Sequence, residues 1–238
     1  MDSPVTLTNA TDIKRYRVTD FETTGFPPEA DIVEIGWSDV LVLDGIPQIP
    51  TAWTSELTKP RMKIEIAAMA VHHILEADVF ERRKPDEVLT EISVGVDAFC
   101  AHNAKFEKQF FKTDIPWICT LKAAYLLCPK SPNHQNQTLR YFLNHPVDPN
   151  DCMPSHRAGP DAYVTAWHLW KFLSARTVEQ LIAIEREPAE LPKCPMGKYR
   201  GQPWAEVDMG YLQWCLRQPT MEEDIVHTVQ KEIARRRA

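Results

Sequence analysis

Asp20 and Glu22 stand two residues apart in Val18-Thr19-Asp20-Phe21-Glu22-Thr23-Thr24-Gly25, directly after the strand-like lead-in of Tyr16 and Val18. A strand presents alternate residues on one face, so the two carboxylates project side by side. Phe21 between them, and Ile32, Val33 and Ile35 downstream, mark the strand as largely buried. Like charges held together away from water repel unless a cation lies between them, and hard divalent cations take oxygen ligands. The Thr-Thr-Gly that follows places two hydroxyls and a residue without a Cβ at the strand's C-terminal end, where open α/β sheets put their sites. Such a pair alone is commonplace on exposed strands, so this one asks for further carboxylates elsewhere in the chain.

A chain of 238 residues suffices for one substantial core with a small appendage. Its net charge of −6 argues against holding nucleic acid by bulk electrostatics, though not against gripping a strand locally, since carboxylates that bind metal are neutralised when loaded. No apolar run approaches the ~20 residues that span a bilayer, and residues 1–12 have neither a basic start nor an apolar stretch, so the expectation is a cytoplasmic protein with no membrane association. Cys100, Cys119, Cys128, Cys152, Cys194 and Cys215 include no Cys-x-x-Cys pair and read as buried free thiols. The sequons at Asn9 and Asn136 are chance matches in a chain without a secretion signal.

Residues 31–42 read as a second strand turning at Asp44-Gly45, and residues 51–57 as a third, which makes an antiparallel meander. Apolar spacing predicts a helix over 64–74 and another over 85–94, opened by Pro85. A short strand at 96–101 ends in His102-Asn103, with a helix over 104–111 behind it; a strand at 117–119 leads into a helix to Leu127. Residues 129–137 read as a loop, 138–143 as helix, 144–155 as a polar loop, 160–173 as a long helix and 177–187 as the last helix of the domain. The proline-rich segment 188–195 reads as a linker to a small module at 196–238. The expected division is an N-terminal extension (1–13), a main domain (14–187), the linker and the module.

Two further pieces complete the set: Ala101-His102-Asn103-Ala104-Lys105-Phe106-Glu107, and His156-Arg157-Ala158-Gly159-Pro160-Asp161-Ala162. In this order, with Asp20-x-Glu22-Thr-Thr-Gly, they resemble the DEDDh superfamily of proofreading exonucleases over roughly residues 15–175. The resemblance implies an α/β ribonuclease H-like fold, a mixed sheet with a three-strand meander flanked by helices. It implies two Mg²⁺ or Mn²⁺ ions held by Asp20, Glu22, Glu107 and Asp161, with His156 as the general base. Asp20 would bridge both ions, Glu22 and Asp161 would support the one near the nucleophile, and Glu107 would help hold the other. Two ions can stabilise both the attacking and the leaving oxygen of a phosphodiester, and an imidazole titrating near ~6.5 suits proton acceptance near neutrality. The family closes its second motif on aspartate, so Glu107 is a departure that keeps the charge and lengthens the arm. Activity is still the expectation.

Thr23, Thr24, Gly25 and Phe26 would meet the terminal nucleotide, and His72 or His73 matches a family histidine that touches the strand, with plain packing as the alternative. Asn103 either orients the helix of Glu107 or caps it, and Lys105 and Lys108 read as a solvated face more readily than as phosphate contacts. Gly197-Lys198-Tyr199-Arg200-Gly201, with Trp204, Tyr211 and Trp214, resembles the short C-terminal module of exonucleases of the exonuclease X type. It is expected as a β-hairpin and helix whose aromatics either form a small core or serve single-strand binding. The expected activity is 3′ to 5′ hydrolysis of DNA at single-stranded or frayed ends. The alternatives are the same chemistry on RNA and a non-catalytic nucleic-acid-binding module. Family members act as monomers or dimers, so a homodimer is one of the expected states.

Overall fold

The computed structural model describes residues 11–237. Most of the expected N-terminal extension, and Asn9 of the first sequon, lie outside the described residues. Strand β1 (Ile13–Thr23) pairs antiparallel with β2 (Ile32–Leu43) along its length, setting Asp20 opposite Gly36 and Glu22 opposite Glu34. Strands β3 (Ile46–Pro47) and β4 (Thr54–Leu57) add to the far edge of β2. On the other side of β1, β5 (Ala98–Ala101) and β6 (Trp117–Cys119) run parallel to it. The six-stranded sheet, in the order β3-β2-β1-β5-β6 with β4 beside β2, thus joins an antiparallel meander to a parallel half, as expected. The C-terminal ends of β1, β5 and β6 share one edge, and all three sequence motifs lie there or on the helices that follow.

The third strand begins at Thr54 rather than at residue 51, because Trp53 leaves the sheet to donate its indole N–H to the Asp151 carbonyl at 2.9 Å. The helix expected over 64–74 is α1 (Ile66–His72), followed by a separate α2 (Glu76–Val79). The apolar spacing there does not mark a full core stripe: Ile66 is 82% and Val71 47% exposed, while Ile64, His72 and Ile74 are buried and Ala68 and Met69 half-buried. Helices α3 (Pro85–Ile92), α4 (Ala104–Phe110) and α5 (Thr120–Leu127) lie close to the expected bounds. Helix α6 (Asn136–Phe142) starts two residues earlier, recruiting Asn136 and Gln137 from the expected loop, and a 3₁₀ turn (Pro149–Cys152) interrupts the next loop. Helix α7 (Ala158–Leu173) is buried along most of its length against β1 and β2, and α8 (Val178–Arg186) opens on a Thr177–Gln180 capping box.

The alternation of β1 divides the interior. Tyr16 and Val18 join Val40, Leu139, Leu169 and Phe172 on the α7 face. Phe21 joins Ile35, Val88, Ile92 and Phe99 on the other. Asp20 and Glu22 continue the α7 face toward its open end.

A Cβ on Gly36 would lie 2.0 Å from the Ala158 carbonyl carbon and 2.3 Å from the Gly159 nitrogen. The start of α7 therefore rests directly on β2, beside Asp20. Backbone cannot yield there as a side-chain tip can, so Gly36→Ala is expected to cost at least about 2–3 kcal/mol and to displace Asp161 and His156. Thermal unfolding and nuclease assays on the variant test this together, and unchanged values in both would refute it.

Beyond α8, residues 197–199 and 204–206 form 3₁₀ turns rather than the expected β-hairpin, followed by α9 (Met209–Arg217) and α10 (Glu223–Arg237). Cys194 donates to the Gln202 carbonyl at 2.9 Å and accepts from Gly201 at 2.8 Å, so the chain doubles back with only this local pairing. The glycine-containing turn leaves no room for two extended arms. Trp204, Val207, Leu212, Cys215, Ile225, Val229 and Ile233 pack together with Cys194. The proline-rich segment before them lies along α10, with the Ala189 N–H on Asp224 Oδ1 (2.7 Å) and the Leu191 N–H on Thr228 Oγ1 (2.9 Å). All six cysteines are free and buried. Among the described residues no helix is long and apolar enough to cross a membrane.

Candidate metal centre

Strand β1 supplies Asp20 and Glu22, and the first turn of α7 supplies Asp161, so that one carboxylate oxygen from each lies within 4.8 Å of the others. Glu107 is not part of that triplet but stands on α4 beside it, 4% exposed, with its Oε2 buried and unpartnered. Burial pushes all four carboxyls up, and facing acids add to it for Asp20, Glu22 and Glu107. Asp20 moves well above its ordinary range, through burial and then Asp161, Glu22, Glu107 and Glu34. Glu22 rises to about 8 through burial and Asp161, and Glu107 to about 8 through burial and Glu22. Asp161 rises through burial, opposed by hydrogen bonds from the His156 backbone and Gln137. Such groups hold protons at neutral pH unless positive charge replaces them.

His156 sits between these elements, exposed, with φ of 62°, a left-handed conformation uncommon for a residue with a side chain. Its backbone N–H donates to Asp161 Oδ2 at 2.7 Å, which fixes the strained turn to the carboxylate cluster. The same Asp161 receives the Gln137 amide at 3.3 Å on Oδ1 and the Asn136 amide at 3.0 Å on its carbonyl. Neither α6 residue was anticipated as part of the site, because both fell in a segment that reads as loop.

The Thr-Thr-Gly turn is internally braced. Thr23 donates its hydroxyl to the Gly25 carbonyl (2.7 Å), and Thr24 Oγ1 accepts from the Asp31 N–H (2.9 Å). Gly25 lets the turn approach α1, since a Cβ there would lie 2.5 Å from a Glu65 carboxylate oxygen. Phe26, next in the chain, is 82% exposed. Of the paired histidines, His72 is buried. Its Nδ1 accepts the Ile74 N–H at 3.0 Å, which leaves Nε2–H to donate to the Thr23 carbonyl at 3.2 Å. His73 is exposed in a left-handed conformation at the helix end. Asn103 occupies the N-cap position of α4 but makes no side-chain cap bond and is exposed.

Two residues without a role in the sequence reading, Glu34 and Arg157, shape the centre most. Glu34, 1% exposed and facing Glu22 across the strands, takes a two-pronged contact from Arg157 at 2.8 Å on each oxygen, plus the Ala158 N–H at 3.1 Å. Burial works to raise its carboxyl, but the Arg157 and Ala158 hydrogen bonds outweigh that and hold it below the usual range. Glu34 is thus neutralised by protein, unlike its neighbours. A charge in the middle of Ile32-Val33-Glu34-Ile35 was the available signal, since buried glutamates are almost always paired.

Behind the second motif lies a chain of neutral imidazoles. His102 bonds Thr120 Oγ1 (3.0 Å) and the His134 carbonyl (2.8 Å), while His145 Nε2 meets His168 Nδ1 at 2.9 Å. Burial depresses His102 and His145 to about 4 and His168 further. Since the unfolded chain takes up these protons near pH 6.5 and the fold refuses them, their contribution to stability is complete above pH 6.5 and is lost toward pH 4. At pH 5.5 the rings of all three are expected to keep a neutral NMR signature; a charged signature there would contradict the packing.

The donor set fits divalent metal. It is all oxygen, it includes an orphaned buried carboxylate oxygen, and its members raise one another's affinity for positive charge. A mixed sheet carrying such a cluster at its parallel end, with a histidine on a loop above it, defines a metal-dependent nuclease. No family model matches the chain. It is 34% identical over 205 residues to exodeoxyribonuclease 10 of Escherichia coli K12, covering 83% of this chain and 89% of that protein. Exonuclease X in complex with 5′ overhanging duplex DNA superposes with a TM-score of 0.60 at 33% identity, over 71% of this chain and 98% of that one. The nuclease domain of 3′hExo, a DEDDh family member bound to rAMP, shares the fold at a TM-score of 0.52 and 16% identity, over 70% and 94%. The chain belongs to the exodeoxyribonuclease 10 (exonuclease X) family of DEDDh exonucleases. Divalent metal ions belong to the chemistry of that family, and the fold is ribonuclease H-like.

Proposed function

We propose that this chain hydrolyses DNA from single-stranded or frayed 3′ ends, releasing 5′-mononucleotides. The observation that carries this reading is the convergence of Asp20, Glu22 and Asp161 within 4.8 Å beside the unpartnered Glu107 oxygen. Asp20, Glu22, Asp161 and Glu107 would hold two Mg²⁺ or Mn²⁺ ions, which would supply the positive charge that the attacking and leaving oxygens need in an in-line displacement. His156 accepts the proton of the attacking water on its imidazole. Its backbone bond to Asp161 keeps that ring's position tied to the carboxylates. Asp161 is in turn oriented by Gln137 and by the start of α7, which the Glu34–Arg157 pair secures.

Because the hydroxyls of Thr23 and Thr24 are engaged inside their turn, contact with the terminal nucleotide falls to the backbone around Gly25 and to Phe26, whose exposed ring suits stacking on a base. His73 and Asn103, both exposed at helix ends, complete the proposed strand contacts. The division into residues 14–187, a connecting segment 188–195 and a module 196–238 is supported by the separate packing around Trp204 and Leu212. A cytoplasmic location belongs to the same reading; monomer and homodimer are both compatible with it, and sedimentation with and without DNA distinguishes them.

The test is release of mononucleotide from 3′-labelled and 5′-labelled single strands of DNA and RNA with Mg²⁺, Mn²⁺ or EDTA, comparing wild type with His156→Ala. Metal-dependent loss from the 3′ end of DNA that collapses in the variant is the expected result. A preference for RNA would reassign the substrate. Binding without turnover in either metal would move the chain to the non-catalytic reading and make Glu107→Asp the variant to examine.

A further inference from the structure

Tyr199, Tyr211 and Trp214 form a ladder on the outside of the C-terminal module, with ring centroids 5.0 Å and 5.2 Å apart. They are not the module's interior, which Trp204, Leu212, Cys215 and Val229 fill; the two tyrosines lie at its rim, and Trp214 is 41% exposed and stands outside it. The seat of the ladder is specific. Gly197 has φ of +60°, and a Cβ there would lie 2.2 Å from the Tyr211 hydroxyl oxygen, so the glycine gives the ring its place. A tryptophan left half in water and stacked only on another aromatic adds little to a core of this size.

The charge around the ladder is also selective. The α10 cations Lys231, Arg235 and Arg236 are tied to Glu190 and Glu232. Lys198, whose ammonium lies 4.9 Å from the Tyr199 ring centroid, and Arg200 and Arg217 form no ion pair among the described residues. A groove of about 460 Å³ is lined by His102, Tyr125 and Gln135 of the main domain and by Lys193 and Pro195 of the segment that enters the module. Gln135 directly precedes the residues that bond Asp161, and Pro195 stands two residues before Gly197.

We propose that the Tyr199–Tyr211–Trp214 ladder, with Lys198, Arg200 and Arg217, is a second binding site for single-stranded DNA, holding the strand behind its 3′ end by base stacking and phosphate contact. Aromatic faces accept any base and unpaired cations accept the backbone, so the site grips without reading sequence. Unpaired bases alone present free faces, which selects a single strand over a duplex.

The experiment uses the full chain in EDTA, where no turnover occurs, so its outcome does not depend on the catalytic reading. Binding of a fluorescein-labelled oligothymidylate of about 20 nucleotides is followed by anisotropy for wild type, Trp214→Ala, Trp214→Phe and Lys198→Ala/Arg200→Ala, with thermal unfolding as the fold control. The expected result is about tenfold weaker binding for Trp214→Ala and for the double variant, recovery to within about threefold for Trp214→Phe, and unfolding unchanged. Wild-type affinity in Trp214→Ala overturns the proposal. So does a loss that Trp214→Phe shares in full, or one that tracks a lowered unfolding temperature.

Discussion

Asp20→Asn is expected to lower metal-dependent hydrolysis by at least about 10²–10³-fold while making the metal-free protein more stable. The two effects have one cause. Asp20 is opposed by burial and by four facing acids, Asp161, Glu22, Glu107 and Glu34. Without a cation Asp20 must either take up a proton or carry a charge that the other acids oppose, and an amide of the same shape removes that cost together with the ligand. Relief of about 1 kcal/mol corresponds to roughly 2–4 °C in a chain of this size.

The pH dependence follows from the raised groups. Glu22 and Glu107 go from 4.5 to about 8 on folding, so the fold binds protons that the unfolded chain has released. Their contribution is complete below pH 4.5 and is lost as pH rises toward 8. In EDTA the wild type should therefore lose stability over this window, Asp20→Asn should lose less, and divalent ion should restore the wild type far more at pH 8 than at pH 5. Thermal unfolding at the two pH values, with and without Mn²⁺, reads all three. A variant less stable than wild type in EDTA, or one still hydrolysing within tenfold of it, would remove Asp20 from the metal centre.

Residue chemistry alone makes only Asp20 and Glu22 legible as a site. That Asp161 joins them, with Glu107 and His156 near, is expected from the resemblance of the three motifs to the DEDDh family, and the fold brings Asp20, Glu22 and Asp161 together with Glu107 beside them. The sheet followed from β-branched runs and short turns. What escaped was whatever depends on two distant segments meeting. Gly36 is an unremarkable strand glycine until Ala158 lies on it, and Asn136 and Gln137 read as loop because their helix is fixed by what they bond in α7 rather than by their own propensity. The expected hairpin failed for a related reason. Gly197 serves a left-handed turn beneath Tyr211, not the link between two strands. Helical spacing at 64–74 misled because it was counted without knowing which side faced the core.

Arg157→Met should be the most destabilising single change beside the site. Removing the guanidinium leaves Glu34 ionised, 1% exposed and facing Glu22, with only the Ala158 N–H remaining of its hydrogen bonds to this loop. Breaking a buried pair in this way costs about 3–5 kcal/mol. Arg157 keeps 36% of its side chain in water, so the low end applies, about 3 kcal/mol or roughly 6–12 °C. Activity should fall as well, because the pair sets where α7 begins, and Asp161 and His156 lie on either side of that start. Glu34→Gln/Arg157→Met separates charge from packing. If the loss comes from the stranded carboxylate, the double variant recovers most of the stability, because both partners of the pair are then neutral and the strand core around Val33 and Ile35 is intact. If instead the double variant is as unstable as the single one, the pair acts through the shape of the Arg157 side chain. The loop that presents His156 would then be held by packing rather than by charge.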